Sequence, residues 1–405
     1  MSQWAPLRIG DIGELFDGPH ATPKSKGKVS TDYIFLSISS LENGRLNLKE
    51  SPSISEEDYL SWTRRVTPRA QDLVFSYETR LGEGALIPAG LTCCLGRRMA
   101  LLRPNQKVIE PRFLLYLFLG PKFQQTIAER TIHGSTVNRI ALNDFPDFPI
   151  LLPDITEQRR IAGVLGALDD KIESNRAQQH LGEQLVRALI ERIIDQFSGA
   201  DFTTLDAYCT HLKESVQPEN LVSGDKYIAL EHMPRGSVFL NSWTNAEHAG
   251  ISSNKTRFRQ GDLLFGKLRP YFKKVGVAPV AGVCSTDILV VRPRLQEFLP
   301  LITVVASSDA LINSVSASAT GTRMPRASWK DISKWPVPRI ADETLITLLQ
   351  PANQLIAFSQ ALSFQNIRLA EVRDALLPEL MSGRMRVDEA GCLVSEALDE
   401  EVRSV

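Results

Sequence analysis

The chain repeats itself at a distance too long for a stacked repeat. Gln71-Asp72-Leu73-Val74-Phe75, Ile87-Pro88-Ala89-Gly90 and Leu101-Leu102-Arg103-Pro104 return in the same order. The second copies read Gly261-Asp262-Leu263-Leu264-Phe265, Val277-Ala278-Pro279 and Val290-Val291-Arg292-Pro293, at offsets of 190, 191 (Pro88 to Pro279) and 189 residues. Tyr33-Ile34 with Asn47 is mirrored by Tyr227-Ile228 with Asn241. Gly134-Ser135, Asp144 and Pro149 are mirrored by Gly321-Thr322, Asp331 and Pro336, all at offset 187. Solenoid units repeat every ~20–50 residues, so this is a duplicated domain. Any fold of the chain must contain one diverged module twice.

Each copy has a β-rich part and a helical part. Short apolar runs bounded by turn residues predict strands at 33–37, 72–75, 99–102, 227–230, 262–265 and 288–291. Long stretches nearly free of Gly and Pro follow, at about 155–197 and 343–381. In the second, Leu348, Leu355, Leu362, Leu369 and Leu376 fall seven residues apart. In the first, Leu165, Ile172, Gln179, Val186 and Ile193 keep that spacing, beside a second stripe of Ile161, Leu168, Asn175, Gly182 and Leu189. Sustained heptads argue for a coiled-coil seam. Asp154 and Thr156 supply an N-cap for the first helix. Ser198-Gly199 and Ser382-Gly383 close the two helices. Pro351 and Pro378 predict a kink or an end in the second. The expected division is 1–152, 153–199, 200–340 and 341–387, then a frayed acidic tail, 388–405.

The formal charge of −1 conceals a gradient. Residues 1–150 carry +2 and 201–340 carry +5, against −2 for 151–200 and −6 for 341–405. The β-rich modules are the basic parts. Between Lys255 and Lys274, seven cations are interleaved with Phe258, Phe265, Tyr271 and Phe272. Such a pattern fits a polyanion surface. No run of ~18 apolar residues exists, so no membrane span is expected. The five cysteines, with Cys93 and Cys94 adjacent, form neither a disulfide framework nor a zinc motif. A reducing cytoplasm is the expected compartment.

Catalytic signatures are missing. The chain has no phosphate-binding G-x-x-x-x-G-K-[ST] loop, no nucleophile elbow and no H-E-x-x-H. Leu81-Gly82-Glu83-Gly84 is too short for a dinucleotide fingerprint. The histidines lack metal-ligand spacing, so no bound metal is expected. Asn143-Asp144-Phe145-Pro146 looks like an amino-methyltransferase motif but lacks the Pro-Pro pair. The reading is a chain without catalytic residues.

Leu152-Pro153-Asp154-Ile155-Thr156-Glu157-Gln158-Arg159-Arg160-Ile161-Ala162, continuing Leu165-Gly166-Ala167-Leu168-Asp169-Asp170-Lys171-Ile172-Glu173-Ser174-Asn175, resembles the central conserved region of type I restriction–modification specificity subunits. Leu376-Leu377-Pro378-Glu379-Leu380-Met381-Ser382-Gly383 resembles the distal conserved region, and 261–270 the second target-recognition domain. The second helix lacks the Glu-Gln-Arg-Arg-Ile-Ala run and reads Glu343-Thr344-Leu345-Ile346-Thr347-Leu348. The resemblance implies an α+β fold of two target-recognition domains in tandem, each followed by a long helix. The helices pair as an antiparallel coiled coil with pseudo-two-fold symmetry. It implies a non-catalytic subunit that reads double-stranded DNA and carries two methyltransferase subunits and motor–nuclease subunits. S-adenosylmethionine, ATP and magnesium then belong to those partners, and this chain binds no cofactor itself. The competing expectation is an assembly scaffold that binds only proteins.

Helices of ~40 residues span ~60 Å at ~1.5 Å per residue, and a DNA groove returns every ~34–36 Å. Two diverged modules are therefore expected to read two different half-sites across an unread gap. Candidate DNA contacts are Lys24, Lys26, Lys28, Arg64, Arg65, Arg97 and Arg98 in the first module. In the second they are Lys255, Arg257, Lys267, Arg269, Lys273, Lys274, Arg323 and Arg326. Candidate coiled-coil and partner-binding residues are Ile161, Leu165, Leu168, Ile172, Leu348, Leu355, Leu362, Leu369 and Leu376.

Overall fold

The two long helices run from Ile155 to Gln196 and from Asp342 to Met381, within a residue of the stretches predicted from composition. Asp154 caps the first, its Oδ1 accepting from the Thr156 and Glu157 amides at 2.9 and 3.0 Å. The computed structural model describes residues 4–48, 51–134, 137–318 and 325–402, with side chains described to residue 395. The chain divides into two compact units, 1–169 with 371–405, and 170–370. The division falls within both long helices, after Asp169 in the first and after Ala370 in the second, so each unit includes a part of both.

In the first unit, four antiparallel strands lie in the spatial order Gly13–Asp17, Met99–Pro104, Leu73–Ser76, Gly84–Leu86. Ile34–Leu36 pairs in parallel with Cys93–Leu95, and Ala5–Arg8 pairs with Pro149–Leu152. Helices Pro111–Leu119 and Pro121–Glu129, which the strand-dominated reading missed, pack near the sheet. Phe145 is fully buried, its ring 4.9 Å from Phe75 and 5.1 Å from Phe148. The Asn143–Pro146 segment is therefore an aromatic anchor of the core.

The second unit repeats this plan. Its four antiparallel strands run Cys209–Leu212, Ile288–Pro293, Leu263–Gly266, Val275–Val277. Lys226–Ile228 pairs in parallel with Gly282–Cys284, and Phe202–Thr204 pairs with Pro336–Pro338. Leu299–Ser307 and Asp309–Ser318 occupy the positions of the two short helices.

The repeated Asp-Leu and Arg-Pro motifs are the pins of this sheet. The Asp72 carboxylate takes a two-pronged hydrogen bond from Arg103, at 3.0 and 2.7 Å. Asp262 takes the same from Arg292, at 2.7 and 2.7 Å. Each carboxylate also accepts from the backbone amide three residues earlier, Arg69 or Arg259. The residue before each aspartate is left-handed, Gln71 at φ 71° and Gly261 at φ 82°. Both aspartates are 2% exposed. A buried carboxylate is tolerated because its charge and lone pairs are answered.

Within each unit the two helices pair. In the first, Arg373 reaches Asp169. In the second, Asn175 reaches Asn366, and Gln179 reaches Ser359 and Ser363. Partners of rising number on one helix fall in number on the other, so the pairing is antiparallel. Both predicted stripes of the first helix enter the seam. Ile161, Leu165, Leu168, Ile172, Asn175, Gln179, Val186 and Ile193 are all buried, with Gly182 between them. Only Leu189 stands aside, replaced by Ile190.

The second helix corrects the expected seam. Leu362, Leu369 and Leu376 are buried, but Leu348 and Leu355 are half-buried flanks. The buried line is Leu345, Leu349, Ala352, Ile356, Ser359, Ser363, Asn366, Leu369, Leu376 and Leu380. Its four-three alternation breaks at Asn366 and Leu369, where two three-residue steps adjoin across Ser363, Asn366 and Leu369. Such a stammer shifts the phase of the seam, so one heptad register describes only half of the helix. The helix passes through Pro351 and Pro378 without ending. The acidic tail is also not frayed throughout: Val387–Val402 is a helix, with Val387, Ala390 and Val394 buried and Asp388 paired with Arg160.

No single helix among the described residues is long and apolar enough to cross a membrane. Cys93, Cys94, Cys209 and Cys284 are free and buried, and burial pushes each thiol up to about 12. They serve as small apolar side chains.

Candidate nucleic-acid interface

Both units build the same loop clasp at the exit of the pinned strand. In the first, the strand Leu73–Ser76 leads to Tyr77-Glu78-Thr79. Tyr77 N donates to Arg98 O at 3.2 Å, Ile140 N to Tyr77 O at 2.8 Å, and Thr79 N to Asn138 O at 3.3 Å. In the second, Leu263–Gly266 leads to Lys267-Leu268-Arg269. Lys267 N donates to Asp287 O at 2.8 Å, Ala327 N to Lys267 O at 2.9 Å, and Arg269 N to Pro325 O at 2.8 Å. Glu78 bridges Arg139 where Leu268 bridges Arg326. Three segments distant in sequence thus meet at one edge of each module.

The clasp carries different side chains in the two units. In the first, Arg98 pairs with Glu78 at 2.8 Å and donates to Thr79 Oγ1 at 3.2 Å. In the second, Arg326 pairs with Asp287 at 3.2 Å. The cation and the anion have changed segments while the backbone plan is kept.

The expected DNA contacts separate into two groups. Lys24, Lys26, Lys28, Arg64, Arg65 and Arg97 are exposed. The loop of the three lysines is stitched to the helix Glu56–Trp62, because the Ser25 amide and hydroxyl both donate to Asp58. Arg64 and Arg65 follow that helix, so the structure draws these cations toward one region. Lys26 also lies 5.1 Å from the Phe35 ring centre. The basic run of the second module behaves differently. Lys255 is 8% exposed, and its Nζ donates to Ser253 O and Oγ at 2.9 Å. Arg257 pairs with Asp225 at 2.7 Å, and Lys273 pairs with Asp309. Lys274 donates to Leu230 O, and burial lowers its ammonium below the usual lysine range. Those four head groups are committed within the chain, which corrects the reading of a free basic stripe. Lys267 and Arg269 are half-buried, with no side-chain hydrogen bond or ion pair among the described residues. Arg323, Gly321, Thr322 and Ser135 lie outside the described residues.

Sequence reasoning missed Thr79, Glu78, Asn138 and Asp287, the frame of the clasp, because no motif marks them. It also missed Arg235, whose guanidinium lies 4.2 Å from the Phe272 ring centre.

Residues 1–181 match the family described as "Type I restriction modification DNA specificity domain". The chain is 23% identical over 417 aligned residues to the type I restriction enzyme MjaIX specificity subunit of Methanocaldococcus jannaschii, covering 95% of this chain and 94% of that protein. It is 21% identical over 311 residues to the EcoDI specificity subunit of Escherichia coli, covering 66% and 69%. This chain is similar to type I restriction–modification specificity subunits, and its first 181 residues match their DNA specificity domain. The crystal structure of a type I system S subunit from M. genitalium shares the fold, with a TM-score of 0.58 at 13% identity over 94% of this chain and 96% of that one. The duplicated modules and paired helices are the form that this fold takes here.

Proposed function

We propose that the two modules read two different half-sites of one asymmetric, double-stranded DNA target, separated by an unread gap. The observation that carries this reading is a shared frame with exchanged surfaces. The sheet order, the Asp–Arg pin and the clasp are the same in both units, while the clasp side chains and charge placement differ. Two readers of one shape and different chemistry suit two groove segments of different sequence.

The helix pair recruits the methyltransferase subunits, and through them the motor–nuclease subunits. S-adenosylmethionine, ATP and magnesium are held by those partners in the cytoplasm. The buried leucines named from sequence hold the helices together and are not the docking surface. Outward-facing apolar residues suit that role better: Leu181, Leu185 and Phe358 are 58%, 55% and 48% exposed.

The test is a domain exchange in a complex with the methyltransferase. Residues 200–340 are replaced by the equivalent segment of a relative, and methylated sites are mapped genome-wide. One half-site should change while the other and the gap persist. A change in both half-sites would refute independent readers. A complex that assembles but methylates without sequence preference would favour a protein-only scaffold.

A further inference from the structure

Arg269 differs from the other cations of its module. Its backbone is left-handed, at φ 51° and ψ 65°, as is that of Lys273. The Lys273 ammonium is paired with Asp309, but the Arg269 guanidinium has no such partner among the described residues. Few non-glycine residues adopt this region, and arginine is not among the types enriched there. Such a conformation persists only where its surroundings impose it. Here the Arg269 amide is held by Pro325 O at 2.8 Å, and its carbonyl accepts from Phe272 N at 2.9 Å. Leu268, just before it, bridges Arg326. A rigid frame thus presents a guanidinium that has no hydrogen bond or ion pair among the described residues. Neighbouring Lys273, Lys274 and Arg326 all have partners within the chain.

The first unit holds Thr79 at the equivalent place. It too is a non-glycine residue at positive φ, 70°. Its amide is held by Asn138 O, as that of Arg269 is by Pro325 O. The offsets, 190 for the first loop and 187 for the second, are those of the flanking repeats. Divergence has kept an improbable backbone and changed the side chain at its tip.

We propose that positions 79 and 269 are the base-reading tips of the two modules, with Arg269 recognising a guanine. This rests on the reading of the modules as half-site readers. A phosphate contact needs only a cation within reach, and a flexible lysine supplies that. A strained, doubly held backbone is useful where a planar fork must meet two acceptors at once, as on the O6 and N7 edge of guanine. A threonine at the same place offers one hydroxyl and a methyl group, which suit a different base. The half-sites then differ at the pair beneath each tip.

The experiment uses the chain in complex with its methyltransferase, on the target mapped for the unaltered protein. Binding is measured over a salt series on the matched duplex and on duplexes with each base pair changed in turn. Arg269→Ala and Arg269→Lys should each lose roughly 10- to 100-fold of discrimination at one G·C pair of one half-site. The other half-site should keep its full preference. Thr79→Ala should relax a position in that other half-site only. Arg269→Gly suits the left-handed backbone and should match the alanine variant, which guards against a folding defect. Equal weakening on every duplex, with a salt slope smaller by about one, would make Arg269 a phosphate contact and overturn the proposal. Retained discrimination in Arg269→Lys, or no change in any variant, would overturn it too. An unaltered complex that binds all duplexes alike would refute half-site reading itself, a result distinct from these.

Discussion

Asp169 on the first long helix accepts a 2.9 Å ion pair from Arg373 on the second. The same carboxylate accepts from Tyr116 at 2.6 Å and from Arg45 at 3.2 Å. One side chain therefore ties both helices to their module. Asp169→Asn keeps the shape and removes the charge that answers Arg45 and Arg373, although Arg373 keeps its exposed partner Asp374 at 2.7 Å. Urea denaturation should show a loss of about 3 kcal/mol. A loss below about 0.5 kcal/mol would mean that packing alone holds the helices to this module.

The pins make a matched pair of predictions. Asp72→Ala and Asp262→Ala each strand a partly buried arginine and free a backbone amide. Each should cost about 3–5 kcal/mol, and the two costs should agree within about 1 kcal/mol, since the geometry is the same. Calorimetry on the single variants tests this. A large effect in one module and none in the other would show that only one pin bears on stability.

The centre of the second unit's helix pair is polar. Asn175 is 0% exposed and donates to Asn366 Oδ1 at 3.0 Å, while Asn175 Oδ1 and Asn366 Nδ2 have no hydrogen-bond partner among the described residues. Asn175→Leu alone strands Asn366 and should cost about 1–3 kcal/mol. Asn175→Leu with Asn366→Leu should recover that loss and equal or exceed the original stability, because a polar seam residue fixes register at a cost in stability. A double-mutant cycle by denaturation reads the sign. Simple additivity of two losses would contradict it.

If helix length sets the gap between the half-sites, lengthening the paired helices should lengthen the gap. Four residues added to one helix alone would break the facing of Asn175 with Asn366 and Gln179 with Ser363. One heptad inserted after Gln178 and another after Phe364 preserves it, and adds ~10 Å. Methylation mapping should then show a gap longer by about three base pairs, at ~3.4 Å each, with unchanged half-sites. An unchanged gap would end the idea that helix length is the ruler.

Local pattern alone determined a good deal of this protein. The duplication, both long helices with their ends, the Asp154 cap and the first helix's seam follow from spacing and capping chemistry, which act over a few residues. Tertiary structure decided the rest. The seam of the second helix changes phase at Asn366 and Leu369, because burial there answers to the facing helix and not to a fixed period. The cations between Lys255 and Lys274 looked alike in sequence. Which of them stay unpaired depends on Ser253, Asp225, Asp309 and Leu230 O, set beside them by the fold. The clasp was illegible for the same reason: a left-handed threonine or arginine has no signature of its own, and exists only because a distant loop holds its backbone in place.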